Sequence, residues 1–212
     1  AWAIEVKGLF HALPFVKYTD AEYEAMEREL RDWDPASPRA SVAMPLVFHD
    51  GLHPHLRGFL LGLLRARRGD ALGVAVEAEA LAELPMPAGS DEVLVEHLIR
   101  TLEADALRLQ GKPAEALAVL ERLKTDVWFQ FAVASPFYAG TYQRFLRADL
   151  LAEAGRTDEA LGWWRTIAQR SPYELIFLAA SEQRMAAVLH RTGRPEPARR
   201  HQARAAALIR HP

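Results

Sequence analysis

Apolar residues recur along this chain at three- and four-residue intervals, the period of a helix buried on one side. Between residues 54 and 67 they fall at Leu56, Phe59, Leu60, Leu63 and Leu64. A glycine follows at position 69, and a second periodic stretch over about 70–84 is stopped by Pro85 and Pro87. That cycle of helix, glycine turn and helix returns three more times. The turn glycines are Gly69, Gly111, Gly155 and Gly193, spaced by 42, 44 and 38 residues. Five positions after each stands a small residue (Val74, Ala116, Ala160, Ala198), and seven before each stands another (Gly62, Ala104, Ala148, Ala186). A unit of this length marks an array of stacked helix pairs. Small residues at facing positions let two helices approach closely, and the glycines suit the left-handed residue that closes a helix.

The remaining segments are read around these units. Residues 1–18 are apolar, interrupted by Pro14, and read as irregular. Thr19-Asp-Ala-Glu22 is a capping box that opens a helix over about 20–33. Asp34-Pro35-Ala-Ser-Pro38 stops it, and a loop containing Pro45 continues to about His49. Ser90 caps the first helix of the second unit, with Asp91 and Glu92 in its first turn, and Pro113 opens the second helix. Ser135-Pro136 and Ser171-Pro172 open the next two first helices, Thr157 caps a helix at 158–169, and the last helix spans about Pro195–Ile209. Trp128–Ala134 has the composition of a strand. An isolated strand would have no partner, so it reads as a connection between helix pairs. The expected fold is all-α. An N-terminal extension over 1–48 precedes a repeat domain over 49–212, with units at about 54–88, 90–134, 135–170 and 171–210.

The third unit is similar to the tetratricopeptide repeat, through Ala148, Leu151, Gly155, Ala160, Trp164 and Pro172. The match is partial at Ala104, Leu107, Gly111, Ala116 and Leu120, and at Ala186, Leu189, Gly193 and Ala198. The early hydrophobic positions of that family fall here on Arg100, Glu103, Arg144 and Arg147. The resemblance implies a right-handed α-α superhelix whose first helices line a concave, peptide-binding face. In that register Leu98, Thr101, Asp105 and Arg108 face the groove from the second unit, and Tyr142, Phe145, Asp149 and Glu153 from the third. Gln183, Ala187 and His190 do so from the fourth. The chain also looks like the C-terminal repeat segment of multidomain bacterial regulators, through Asp50-Gly-Leu-His-Pro-His55 and Ser135-Pro-Phe-Tyr138. That likeness implies the interaction or sensor part of a cytoplasmic signalling protein, and the missing initiator methionine fits a fragment.

Composition narrows the chemistry. The chain has no cysteine, which excludes disulfides, thiolate metal sites and cysteine nucleophiles. Apolar runs such as 58–64 are too short to span a membrane, and Ala1-Trp-Ala-Ile4 lacks the features of a signal peptide. Residues 1–106 carry 10 Lys and Arg against 18 Asp and Glu, and residues 107–212 carry 16 against 10. This asymmetry offers steering of partners, or head-to-tail self-association of acidic and basic halves. The basic C-terminal end, with Arg194, Arg199, Arg200, Arg204 and Arg210, reads as a solvated capping helix. No nucleic-acid motif accompanies it.

Candidate sites stand beside plainer readings. The aromatic residues Trp128, Phe129, Phe131, Phe137, Tyr138, Tyr142 and Phe145 suit either a peptide groove or core between repeats. Tyr138 and Tyr142 are the binding candidates among them, since each hydroxyl needs a partner. Arg100 and Arg144, at equivalent positions, either grip carboxylates and phosphates or pair locally with acids such as Glu96 or Asp149. His49, His53 and His55 are the only candidates for a zinc-dependent enzyme, but their spacing fits no metal motif. No catalytic residue, cofactor or metal is assigned. The expectation is a protein- or peptide-binding scaffold. A small-molecule sensor with a closed apolar pocket under the aromatic cluster is its rival.

Overall fold

The structure is a computed structural model that describes residues 2–35, 51–124 and 135–210. Among these residues there are ten α-helices and no strand. They are α1 (Trp2–His11), α2 (Asp20–Asp32), α3 (His53–Arg67), α4 (Ala71–Ala82) and α5 (Ser90–Leu109), followed by α6 (Pro113–Glu121), α7 (Thr141–Glu153), α8 (Thr157–Arg165), α9 (Leu178–Arg191) and α10 (Pro195–Arg210). A 3-10 turn over Pro172–Phe177 leads into α9. Pro38, Pro45, His49 and the segment Trp128–Ala134 with Phe129 and Phe131 lie outside the described residues. The helices form two compact units, residues 1–123 and 124–212.

The four turn glycines make one structural device. Gly155, at φ +76, ends α7, and the N–H of Arg156 reaches back 2.9 Å to the carbonyl of Leu151. Asp70 to Arg65, Lys112 to Leu107 and Arg194 to Leu189 repeat that bond at 3.1, 2.9 and 2.9 Å after glycines of φ +74, +76 and +71. Each turn satisfies carbonyls left over at a helix end, and a side chain at the glycine would be strained. The residue after each glycine therefore becomes the cap of the next helix. This corrects the expected cap at Thr157, which is the first residue of α8 after Arg156. Asp70 caps α4 with its side chain, accepting 2.8 Å from the N–H of Gly73, whereas Lys112 and Arg156 make no side-chain cap bond.

Other starts differ from expectation for local reasons. Gly89 stands at the cap of α5, so Ser90 is already inside the helix. Ser135 and Ser171 accept from Phe137 and Tyr173, two residues on. They open a turn and the 3-10 segment, and α7 and α9 begin only at Thr141 and Leu178. Thr19 and Glu22 form the expected capping box, with bonds of 3.3 and 2.7 Å. Residues 2–11, read as irregular, are α1. Glu5, Gly8, Leu9 and Ala12 make its buried stripe at helical spacing, and the acid and the glycine break the apolar pattern.

In the first unit α1 and α2 pack on α3, and α5 packs on both α3 and α4. Leu56, Leu60, Leu63, Leu64, Val74 and Leu102, none of them exposed, fill the core. Gly62 is needed here, since a Cβ on it would lie 2.6 Å from a methyl of Leu102. In the second unit α7 packs on α8, and α9 packs on α7, α8 and α10. Phe145, Phe177 and Trp164 are buried there, with the first two rings 5.5 Å apart. No described helix is long and apolar enough to cross a membrane.

Candidate functional site

Most residues expected to face a groove are interior. Thr101 and Asp105 are 1% and 3% exposed, and Tyr138, Tyr142, Arg144 and Asp149 are buried as well. Thr101 donates to the carbonyl of His97 one turn back, at 2.6 Å. Asp105 lies 3.8 Å from Arg67, and Asp149 3.4 Å from Arg184 on α9. Arg108 is half-buried. These positions pack against neighbouring elements, which is where large aromatics and paired charges are stable. Tyr138 and Tyr142 join Phe137 and Phe145 in that interior.

Arg144 and Arg100, equivalent in sequence, have different fates. Arg100 is exposed and bonds Glu103 in its own turn at 2.8 and 2.9 Å, which raises its pKa. Arg144 is buried against Glu174, whose other oxygen accepts from the N–H groups of Gln169 and Arg170 at 2.9 and 3.1 Å. Its terminal nitrogens also reach the carbonyls of Ala139 and Thr166 at 3.0 and 2.9 Å. Burial lowers its pKa, and the Glu174 charge opposes that. So Arg144 pins four segments of the second unit together, with Glu174 as its partner in place of the expected Glu96 or Asp149.

The histidines are also structural. Nδ1 of His53 lies 2.6 Å from a carboxylate oxygen of Glu5, joining the start of α3 to α1. His55 is 2% exposed, and burial lowers its pKa. The backbone at Gly51 and Pro85 acts in the opposite direction, though neither makes a hydrogen bond of good geometry with the ring. Among the described residues no group of three His, Asp or Glu side chains is arranged to hold a metal ion.

Gln183 and His190 are exposed, and they line a groove of 590 Å³ between α9 and α10. The Schellman turn at Gly193 folds α10 back along α9. On the interior side the two helices are tied by Nδ1 of His201, 2.6 Å from a Glu182 oxygen. Ala186, Ala187 and Ala198 line the groove between them, with Gln183, His190, Arg199 and Gln202. Glu196 holds Arg199 at 2.6 Å.

The repeat register shows what this face is. Counting from Gly193 back to Gly69, Gln183, Ala186, Ala187 and His190 correspond to Phe59, Gly62, Leu63 and Ala66, and Ala198, Arg199 and Gln202 to Val74, Ala75 and Ala78. In the first unit those positions are apolar and almost all buried, on the face where α5 packs. In the last pair they are mostly polar and open. Known protein families, curated proteins and solved structures give no match to this chain.

Several buried contacts escape a local reading of sequence. Glu5 in Ala-Ile-Glu-Val and Glu174 in Tyr-Glu-Leu-Ile are acids set inside apolar runs. That placement signals a buried charge whose partner lies far along the chain. Gln202 stands out only once α10 is aligned with α4. The small-molecule reading places its pocket under the aromatic cluster, part of which lies outside the described residues.

Proposed function

We propose that this chain is a tetratricopeptide-like array of helix pairs that binds a polypeptide, with the α9–α10 groove as its binding face. Within each compact unit a first helix packs on its own second helix, and the next first helix packs on both. Those are the neighbour relations of stacked pairs. The observation that carries the binding assignment is the exchange of Phe59, Leu63, Ala66, Ala75 and Ala78 for Gln183, Ala187, His190, Arg199 and Gln202. A trough that receives a helix in the first unit is here open, with small side chains along it and donors at its edge. Such an edge, beside Arg191, Arg194 and Arg200, favours an acidic segment. The likeness to bacterial regulators extends this reading to an interaction or sensor module of a signalling protein.

A displayed random-peptide library panned on the protein tests it. Enriched peptides are expected to be acidic. Their affinity is expected to fall about tenfold or more, ~1.4 kcal/mol, when Ala187→Arg fills the groove. Ala187 is exposed, and circular dichroism checks that the variant keeps the fold. Failure to enrich, or peptides that bind the variant equally well, overturns the assignment.

A further inference from the structure

A second surface of unusual character lies on the first unit. Leu72 and Val76, one turn apart on α4, are 75% and 54% exposed. Helical spacing sets them beside Ala75, Glu79 and Glu83. Ala75 and Glu79 line a cleft of 350 Å³ with Ala78 and Ala82 of α4, Glu103, Ala106 and Leu107 of α5, and Val119 of α6. The surface is apolar and small-residue in its middle and acidic at its edge. Isolated exposed hydrophobics are ordinary, but a contiguous patch with a charged border marks a docking site.

The chain itself carries the complement. α10 presents Ala203, Ala206 and Ile209 to solvent, with Ile209 60% exposed. Arg199, Arg204 and Arg210 flank that stripe. A helix with small and apolar residues between arginines is complementary in side-chain character and in sign to a cleft with small and apolar residues between glutamates. The two halves have opposite net charge, with an excess of eight acids over residues 1–106 and of six bases over 107–212.

We infer that the α4–α6 cleft of one copy receives α10 of a second copy. The two surfaces differ, so the contact is heterologous: a copy whose cleft is filled still offers its own α10. The docked helix uses Arg199, which also lines the α9–α10 groove. Self-association and partner binding then compete for the same face, although the self-association does not depend on the groove being a peptide site.

Sedimentation of the full chain at low and high salt tests this with two charge-reversed variants. Glu79→Arg with Glu83→Arg spoils the cleft and spares α10. Arg204→Glu with Arg210→Glu spoils α10 and spares the cleft. All four positions are exposed, and circular dichroism checks the fold. The unaltered chain is expected to associate as concentration rises, and to lose that association in high salt, where charge attraction is screened within about 10 Å or less. Each variant alone is expected to stay monomeric, and an equimolar mixture to form a dimer through the one intact cleft and the one intact α10. An unaltered chain that is monomeric throughout overturns the inference, as does either variant associating normally or a mixture that stays monomeric. The cleft variant retains its α9–α10 groove, so peptide binding measured on it is read independently.

Discussion

Arg144 and Glu174 meet in the interior of the second unit, 5% and 0% exposed, with both terminal guanidinium nitrogens and both carboxylate oxygens hydrogen-bonded. Removing one partner leaves a buried charge without compensation. Glu174→Ala is expected to lower stability by about 3–5 kcal/mol, read as the midpoint of urea unfolding followed by tryptophan fluorescence. Arg144→Lys is not expected to be mild, since one ammonium cannot replace bonds to Ala139, Thr166 and Glu174 together. A loss below about 1 kcal/mol, the worth of an exposed pair, would mean that this knot is not holding the unit.

Gly62 and Leu102 give an expectation with an unusual sign. Glycine to alanine inside a helix ordinarily stabilises by about 1 kcal/mol. At Gly62 the new methyl would lie 2.6–2.7 Å from both methyls of Leu102, which is completely buried. Gly62→Ala is expected to destabilise by about 1–3 kcal/mol. Adding Leu102→Ala should make the substitution at 62 neutral or favourable. Equal effects of Gly62→Ala in both backgrounds would remove the contact from consideration.

His55 sets a pH dependence. Its native pKa is lowered by burial, while in the unfolded chain it titrates near its ordinary value of about 6.5. Above that pH both states hold it neutral and nothing is lost. As pH falls below it the unfolded state takes up a proton first, so stability declines until the lower native pKa is passed. His55→Gln is expected to flatten this part of the profile. Urea midpoints for both proteins between pH 8 and 5 decide it, and parallel curves would exclude His55 as the source.

The four caps are unequal, and the inequality predicts a gain. Asp70 accepts from Gly73, whereas Lys112 stands at the same place before α6 with no side-chain bond. Lys112→Asp is expected to stabilise by about 0.5–1 kcal/mol through the missing cap and the helix dipole. Asp70→Ala should lose a similar amount. A lowered melting temperature for Lys112→Asp would show that the turn at Gly111 cannot orient a carboxylate as the turn at Gly69 does.

The helices of the four pairs were legible because two local signals coincide there: a glycine fit for positive φ, and apolar residues at helical spacing before and after it. α1 is not, because Glu5 and Gly8 hold two of the three buried positions described within it, and the partner that makes Glu5 tolerable, His53, is 48 residues away. A local pattern cannot show a compensation made at that distance. The candidate site divides the same way. Gln183 and His190 are named by the groove register of the resemblance, and both are exposed on the α9–α10 groove. Tyr138 and Tyr142 were not placed correctly because an aromatic ring suits a wet groove and a dry core equally well, and only packing separates the two.

The polar face of the last helix pair also bears on how such a chain grows. Duplicating a helix pair inserts a new unit between two that already match, and the added surfaces find apolar seats on both sides. A copy appended after α10 would find Gln183, His190 and Gln202 where its leucines need Phe59, Ala66 and Ala78. A helix packed on this face would have to bring polar groups of its own.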